Sequence, residues 1–288
     1  MSVLLLAIFV KNPSFPTPDK IIVFLVFIFM AFGQAIEGVK RFGVFVLIIL
    51  AYESFRGSPD QLNSHVDFTL APAADKLLFG DLPTVYFQNW LWRGSTQWYD
   101  VALYLPYMLH FILPMALGLV VWKRYEKYFW TVITGLCIGA FLAFFTFLIF
   151  PAAPPWMASD RHYIQPVERI SSHVWASLGI EDFPTVYHKI SPNPVAAVPS
   201  HHVLWATLFS IYMFKIFGKK WGLLSLAYPL VITFGTIYEG EHYAFDAIVG
   251  VAYAYGSYRL APYVLRFIIT SYKKINKFIG SKIDLAKT

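Results

Sequence analysis

Seven apolar runs, separated by short gaps rich in lysine and arginine, limit most strongly how this chain can fold. They cover roughly 20–36, 41–56, 99–122, 128–150, 200–217, 221–239 and 242–268. A helix needs about 20 mostly apolar residues to cross a bilayer. Inside lipid, every backbone N–H and C=O must be satisfied within the segment. The runs therefore predict an all-α integral membrane protein with about seven transmembrane helices. Composition sharpens this: 14% of the 288 residues are charged, against about 25% in a soluble domain. That is too little polar surface for a water-exposed fold, and it excludes disorder, collagen, a coiled coil and a disulfide-stapled module. The single cysteine, Cys137, lies within an apolar run and reads as packing. Residues 2–10 are too short to span and lack a basic leader, so no signal peptide is expected.

Orientation follows from charge. With the gaps 37–41, 123–127 and 218–220 and the C-terminal tail placed in the cytoplasm, that side carries 15 of the 23 basic residues. It carries only three of the 17 acids, Glu37, Glu126 and Asp284. Cytoplasmic loops concentrate Lys and Arg, so the N-terminus is expected outside and the C-terminus inside. The net charge of +6 is spread over loops rather than gathered in a stripe, which argues against nucleic acid as a partner. Two long segments, 57–98 and 151–199, then lie outside. Residues 84–98 hold Tyr86, Trp90, Trp92 and Trp98 among polar residues, the pattern of an interfacial element. The proline density of 151–199 predicts an ordered, non-helical lid or linker. The basic tail, 271–288, is suited to anionic headgroups.

Ionisable groups beside membrane spans are costly and mark function. Here they gather at Pro199-Ser200-His201-His202 and at Glu239-Gly240-Glu241-His242-Tyr243-Ala244-Phe245-Asp246. The topology places both at outer helix starts. His242 and Asp246, spaced i, i+4, share one helix face. A carboxylate on one imidazole nitrogen fixes the tautomer and makes the other a better nucleophile. Gly250 continues that face and permits close helix approach. Ser200 sits near a helix N-cap, where free N–H groups receive phosphate. His202 falls in the same first turn. The set predicts phosphoryl transfer, with His242 attacking phosphorus, Asp246 supporting it and His202 protonating the leaving oxygen. Zinc is the competing use of such side chains, but there is no HExxH and adjacent histidines on a helix diverge, so no metal is expected. His110, inside the third run, reads as a satisfied buried polar group. His65, His162, His173 and His188 read as incidental loop residues.

The motifs P-S-x-H (Pro199, Ser200, His202) and H-Y-x-x-D-x-x-x-G (His242, Tyr243, Asp246, Gly250) resemble those of the type 2 phosphatidic acid phosphatase (PAP2) superfamily. Phe150-Pro151-Ala152-Ala153-Pro154-Pro155-Trp156 resembles a segment of the branch containing fungal inositol phosphorylceramide synthase. The similarity spans roughly 95–258. It implies a six-helix catalytic core, metal-free chemistry through a phosphohistidine on His242, and a lipid phosphate bound at the outer face. Asp246 and His202 take the roles already given. The sequence departs from the family in two places. The K-x6-R-P motif is absent, and the Ser-Arg pair usual before the nucleophile is replaced by Gly235-Thr236. Other cations must then neutralise the phosphate: Arg56 first, then Arg161 and Lys189, with Arg93 and Arg169 also on the outer side.

The expected organisation is an N-terminal segment and first helix over 1–40, a catalytic membrane domain over 41–270, and the tail over 271–288. The expected activity is a lipid phosphotransferase or phosphatase needing no cofactor. Its substrate is a lipid phosphate, and its acceptor is water, a polyol such as inositol, or a lipid alcohol. A polyprenyl diphosphate phosphatase is the alternative within enzymes. A transporter or structural protein using the His/Asp pair as a proton relay is the alternative outside them.

Overall fold

A computed structural model describes residues 36–38, 40–43, 45, 63–108, 110, 112–179 and 193–285. The first two expected spans fall almost wholly outside these residues, as do Arg56 and Lys189. Among the described residues the fold is helical, apart from isolated parallel bridges joining Asp67 to Ala152 and Ala152 to Ala196.

Helices α1 (Leu70–Phe79) and α2 (Pro83–Leu91) are short and carry exposed aromatics, Tyr86 and Trp90 among them. Helices α3 (Trp98–Met108) and α4 (Ile112–Arg124) occupy the run expected to be one span. Their axes meet at 49°. Pro114 has no N–H to offer the carbonyl four residues back, that of His110, so the helix breaks there. A 3₁₀ turn (Glu126–Tyr128) then leads into α5 (Phe129–Ile149), the most apolar helix.

The 151–199 segment differs from its expected non-helical form. It holds α6 (Pro155–Asp160) and α7 (Ile170–Ser177). Pro155 stands at the start of α6, where a fixed φ and a missing N–H favour a helix rather than breaking it. Next come α8 (His201–Phe217), α9 (Lys219–Ser225), α10 (Ala227–Tyr238) and α11 (Ala244–Leu285). The last of these runs 42 residues, so most of the basic tail is helical rather than a separate coil.

Two helical stretches, Glu126–Ile149 and Lys219–Tyr238, are long and apolar enough to cross a bilayer. The bent α3–α4 pair makes a third if it counts as one span. The described residues thus display two or three of the seven expected crossings.

The core lies between α5, α8 and α11. Leu136, Ala140, Ala143 and Phe147 of α5 pack on Leu204, Trp205, Leu208 and Tyr212 of α8, with Ala254 of α11 closing the cluster. Phe42 joins it edge-on against Trp122 and Phe129. This packing holds the N-terminal ends of α8 and α11 side by side, and those ends carry the two histidine motifs.

Candidate active site

Helix α11 crosses α8 where neither has bulk to spare. A Cβ placed on Gly250 would lie 2.7 Å from the Ser200 carbonyl oxygen, so only glycine permits this approach. Ser200 is the N-cap of α8, its hydroxyl accepting from the Val203 N–H at 3.4 Å. The Ser200 N–H donates to the Asp246 carbonyl at 3.0 Å, tying the two motifs together.

His242 precedes α11 in a tight turn. Thr236 O accepts from the N–H groups of both Glu241 and His242 at 3.0 Å. Asp246 is fully buried. Its Oδ2 accepts from the Tyr243 N–H at 2.8 Å and lies 3.3 Å from His242 Nδ1. His242 Nε2 in turn lies 3.3 Å from His202 Nδ1. One tautomer assignment satisfies this row: His242 donates from Nδ1 to Asp246 and accepts at Nε2 from His202. The His242 lone pair then points at the one group poised to donate a proton. Asp246 and His202 thus stand on either side of His242.

His202 is itself held. The Tyr107 ring stacks on it at 4.0 Å between centroids, and the His110 ring approaches at 4.3 Å. His110 Nδ1 lies 2.9 Å from the Tyr107 carbonyl. The break between α3 and α4 delivers both rings, so His110 is a neighbour of the site as well as a buried polar group.

The N-terminus of α11 is capped from a distance. Asp75 of α1 is fully buried, and its carboxylate accepts from the Ala244 N–H at 3.0 Å and the Phe245 N–H at 2.7 Å. It fixes the first turn of the helix that presents Asp246. Burial pushes the Asp75 carboxyl up to about 6. The two N–H groups partly oppose this, and nearby Asp246 adds to it. The folded state therefore holds a proton between pH 3.8 and about 6 that the unfolded chain has released. Stability from this group is full below that window and lost as pH rises through it. The melting temperature of Asp75→Asn relative to wild type should accordingly rise from pH 4 to pH 6 and stay level above. Parallel melting curves across that range would refute the assignment.

The usual Ser-Arg pair has a steric reason to be missing. A Cβ on Gly235 would sit 2.9 Å from the Leu103 carbonyl, because α10 and α3 close on each other there. Thr236 is fully buried with its hydroxyl donating to Ile232 O, leaving no room for a guanidinium.

A different arginine comes near. Arg169 Nε donates to Glu241 Oε1 at 2.9 Å and Nη2 to Oε2 at 3.4 Å. Its guanidinium lies 4.1 Å over the Trp156 ring. Ser171 Oγ donates to the same Glu241 carboxylate. Glu241 adjoins His242 in sequence, so this cation is bonded to the residue before His242. Arg161, by contrast, is an exposed residue at the end of α6. Among the described residues, no His/Cys/Asp/Glu group is arranged to hold a metal ion.

Comparison with known proteins decides the family. Residues 73–260, more than half of the chain, match the PAP2 superfamily. The chain belongs to the PAP2 superfamily. It is thus a membrane enzyme of lipid phosphoryl transfer, a phosphotransferase or phosphatase. It is 27% identical to phosphoinositol dihydroceramide synthase of Bacteroides thetaiotaomicron over 73% of this chain and 72% of that protein. It is 25% identical to the inositol phosphorylceramide synthase catalytic subunit of Saccharomyces cerevisiae, over 98% of this PAP2 chain and 72% of the yeast one. It is also 25% identical to inositol phosphorylceramide synthase of Candida albicans, over 78% of this chain and half of that one. No solved structure gives a significant match.

Proposed function

We propose that this PAP2 protein transfers a phosphoinositol headgroup from a glycerolipid to a ceramide-type lipid alcohol. The observation that carries the proposal is the row Asp246–His242–His202, each step 3.3 Å long. Named relatives that act in phosphoinositol transfer support the choice of donor and acceptor.

In the first half, His242 Nε2 attacks phosphorus. A P–N bond forms, the P–O bond to the glycerolipid breaks, and His202 gives its proton to the departing alkoxide. Asp246 stabilises the imidazolium character that develops on His242. In the second half, the acceptor hydroxyl yields its proton to His202. Its oxygen attacks phosphorus and the P–N bond breaks. A separation of 3.3 Å between Nε2 and Nδ1 leaves no space for a phosphoryl group. Substrate entry therefore requires one ring to swing aside. His202, the less buried of the two and stacked on Tyr107, is the ring proposed to move.

Phosphate charge is met by Arg169 together with the α8 N-terminus at Ser200, while the expected cations Arg56 and Lys189 lie outside the described residues. The charge asymmetry of the loops supports an outer-face site, with the N-terminus outside and the catalytic unit over 41–270.

The test is lipid product analysis by mass spectrometry, on membranes given phosphatidylinositol, phosphatidic acid or a polyprenyl diphosphate, with and without ceramide. A ceramide-dependent phosphoinositol lipid is the expected result. Free phosphate with no new lipid, from any donor, would overturn the transferase reading in favour of a phosphatase.

A further inference from the structure

Beside the Arg169–Glu241 pair, the outer face opens into a cleft of about 610 Å³. This is within the usual span of roughly 300–1,000 Å³ for small-molecule sites. Its walls include Asn89, Trp92, Trp156, Asp160, Glu168 and Arg169. The cleft is braced against the turn that carries the nucleophile. Gln88 Nε2 donates to Glu168 O at 2.8 Å and to Tyr238 O at 2.9 Å, and Gln88 Oε1 accepts from the Glu168 N–H at 2.9 Å. The Trp156 N–H donates to Gly240 O at 3.1 Å, and the Ile170 N–H to Glu239 O at 3.2 Å. Whatever occupies this cleft therefore has a fixed position relative to residues 239–242.

The lining chemistry selects the occupant. Two carboxylates, Asp160 and Glu168, line the cleft with one guanidinium that already serves Glu241, and with His173, whose Nε2 lies 3.4 Å from Glu168 Oε2. The balance repels a free anion and favours a ligand rich in O–H donors. Acyl chains are excluded by the same polar walls. Two indoles complete the set. Trp92, backed by the His173 ring at 5.0 Å, and Trp156, backed by Arg169, offer broad apolar faces among the hydrogen-bonding groups. Carboxylates and an amide to pair with hydroxyls, with flat faces to cover the C–H side of a ring, describe a site for a neutral cyclic polyol.

We propose that this cleft holds the polyol ring of the donor headgroup, and keeps it there while its phosphate passes from glycerolipid to His242 to acceptor. Arg169 stands at the junction, lining the cleft and bonded to the residue that precedes His242. The inference deepens the phosphoinositol-transfer reading and rests on it for the identity of the ring. It adds a place: the headgroup is recognised by residues 88–92 and 156–173, outside the two histidine motifs.

Saturation-transfer NMR on the full-length protein in nanodiscs reads this directly. The probes are glycerophosphoinositol, with glycerophosphocholine and glycerol 3-phosphate as controls. Ring methine protons of glycerophosphoinositol should be saturated by wild type, and at least about fivefold less by Glu168→Gln and by Trp92→Ala. Glu168→Gln alters a side chain 59% exposed, so loss of fold is not at issue. In turnover, both variants should raise the KM for phosphatidylinositol about tenfold. Absence of saturation in wild type, or saturation in both variants equal to that of wild type, would place the ring elsewhere and overturn the proposal. If wild type hydrolyses lipid phosphates yet transfers no phosphoinositol, the preceding functional reading fails instead, and the NMR result still decides the cleft.

Discussion

Alanine at His242 should lower transfer by at least about 10³-fold, with no donor or acceptor exempt. Among the described residues, only its Nε2 is both aligned by a buried carboxylate and set against a second imidazole. Alanine at His202 should behave differently. The nucleophile remains, but the leaving alkoxide lacks its acid and the acceptor lacks its base. Removing a general acid–base costs about 10²–10⁴-fold. Donors with a better leaving group should lose less, since they need less protonation. With such a donor, His202→Ala should accumulate an acid-labile phosphorylated protein that His242→Ala never shows. Radiolabelled lipid, rapid quenching and electrophoresis at neutral pH would detect it. Equal labelling of both variants would remove His242 from the nucleophile's place. The Asp75 cap carries a corollary: an unchanged His242 on a frayed first turn of α11 would also lose rate, but with its melting temperature shifted.

The parts of this site that were legible in the sequence are the local ones. His242 and Asp246 meet because four residues make about one helical turn, and Ser200 announces α8 by capping it. Gly250 was readable for the same reason, as a small residue on an apolar face that must meet another helix. Asp75 was not readable. Its partners lie 169 and 170 residues away, and a carboxylate in a short outer helix has no periodicity to mark it. Arg169 stood among several outer-side cations, and nothing in its spacing ranked it above Arg56 or Arg161. Only the pairing with Glu241, 72 residues distant, singles it out. The break at His110 did leave a trace, two prolines eight residues apart in one apolar run, Pro106 and Pro114. Apolarity hid it, since a broken and a continuous span bury the same residues. The lid misled in the opposite sense. Pro154-Pro155 signals a stop within a helix but a start at its first turn, and composition does not distinguish the two.

Arg169→Ala should be the most destabilising single change at this site. The Arg169 side chain is 16% exposed and that of Glu241 only 5%. Removing one partner of a buried pair leaves the other charge uncompensated, at a cost of about 3–5 kcal/mol. Ser171 alone cannot replace two charged hydrogen bonds. The melting temperature should fall by several degrees, and Arg169→Lys should recover part of it, since a point charge replaces neither the two-pronged contact nor the stacking on Trp156. Adding Glu241→Gln to Arg169→Ala removes the stranded charge. The double variant should regain most of the lost melting temperature, and the coupling is measured by completing the cycle. Turnover then separates two roles. If Arg169 only neutralises Glu241, the restored fold brings transfer back with it. If Arg169 also receives the substrate phosphate, the double variant stays folded yet remains at least about 100-fold slow, with KM raised for every phosphate donor alike. The second pattern is expected, because close packing at Gly235 and the buried Thr236 leave no space for a guanidinium on that side of His242. With α10 closed onto α3, Arg169, at the start of α7, is the cation expected to take that place.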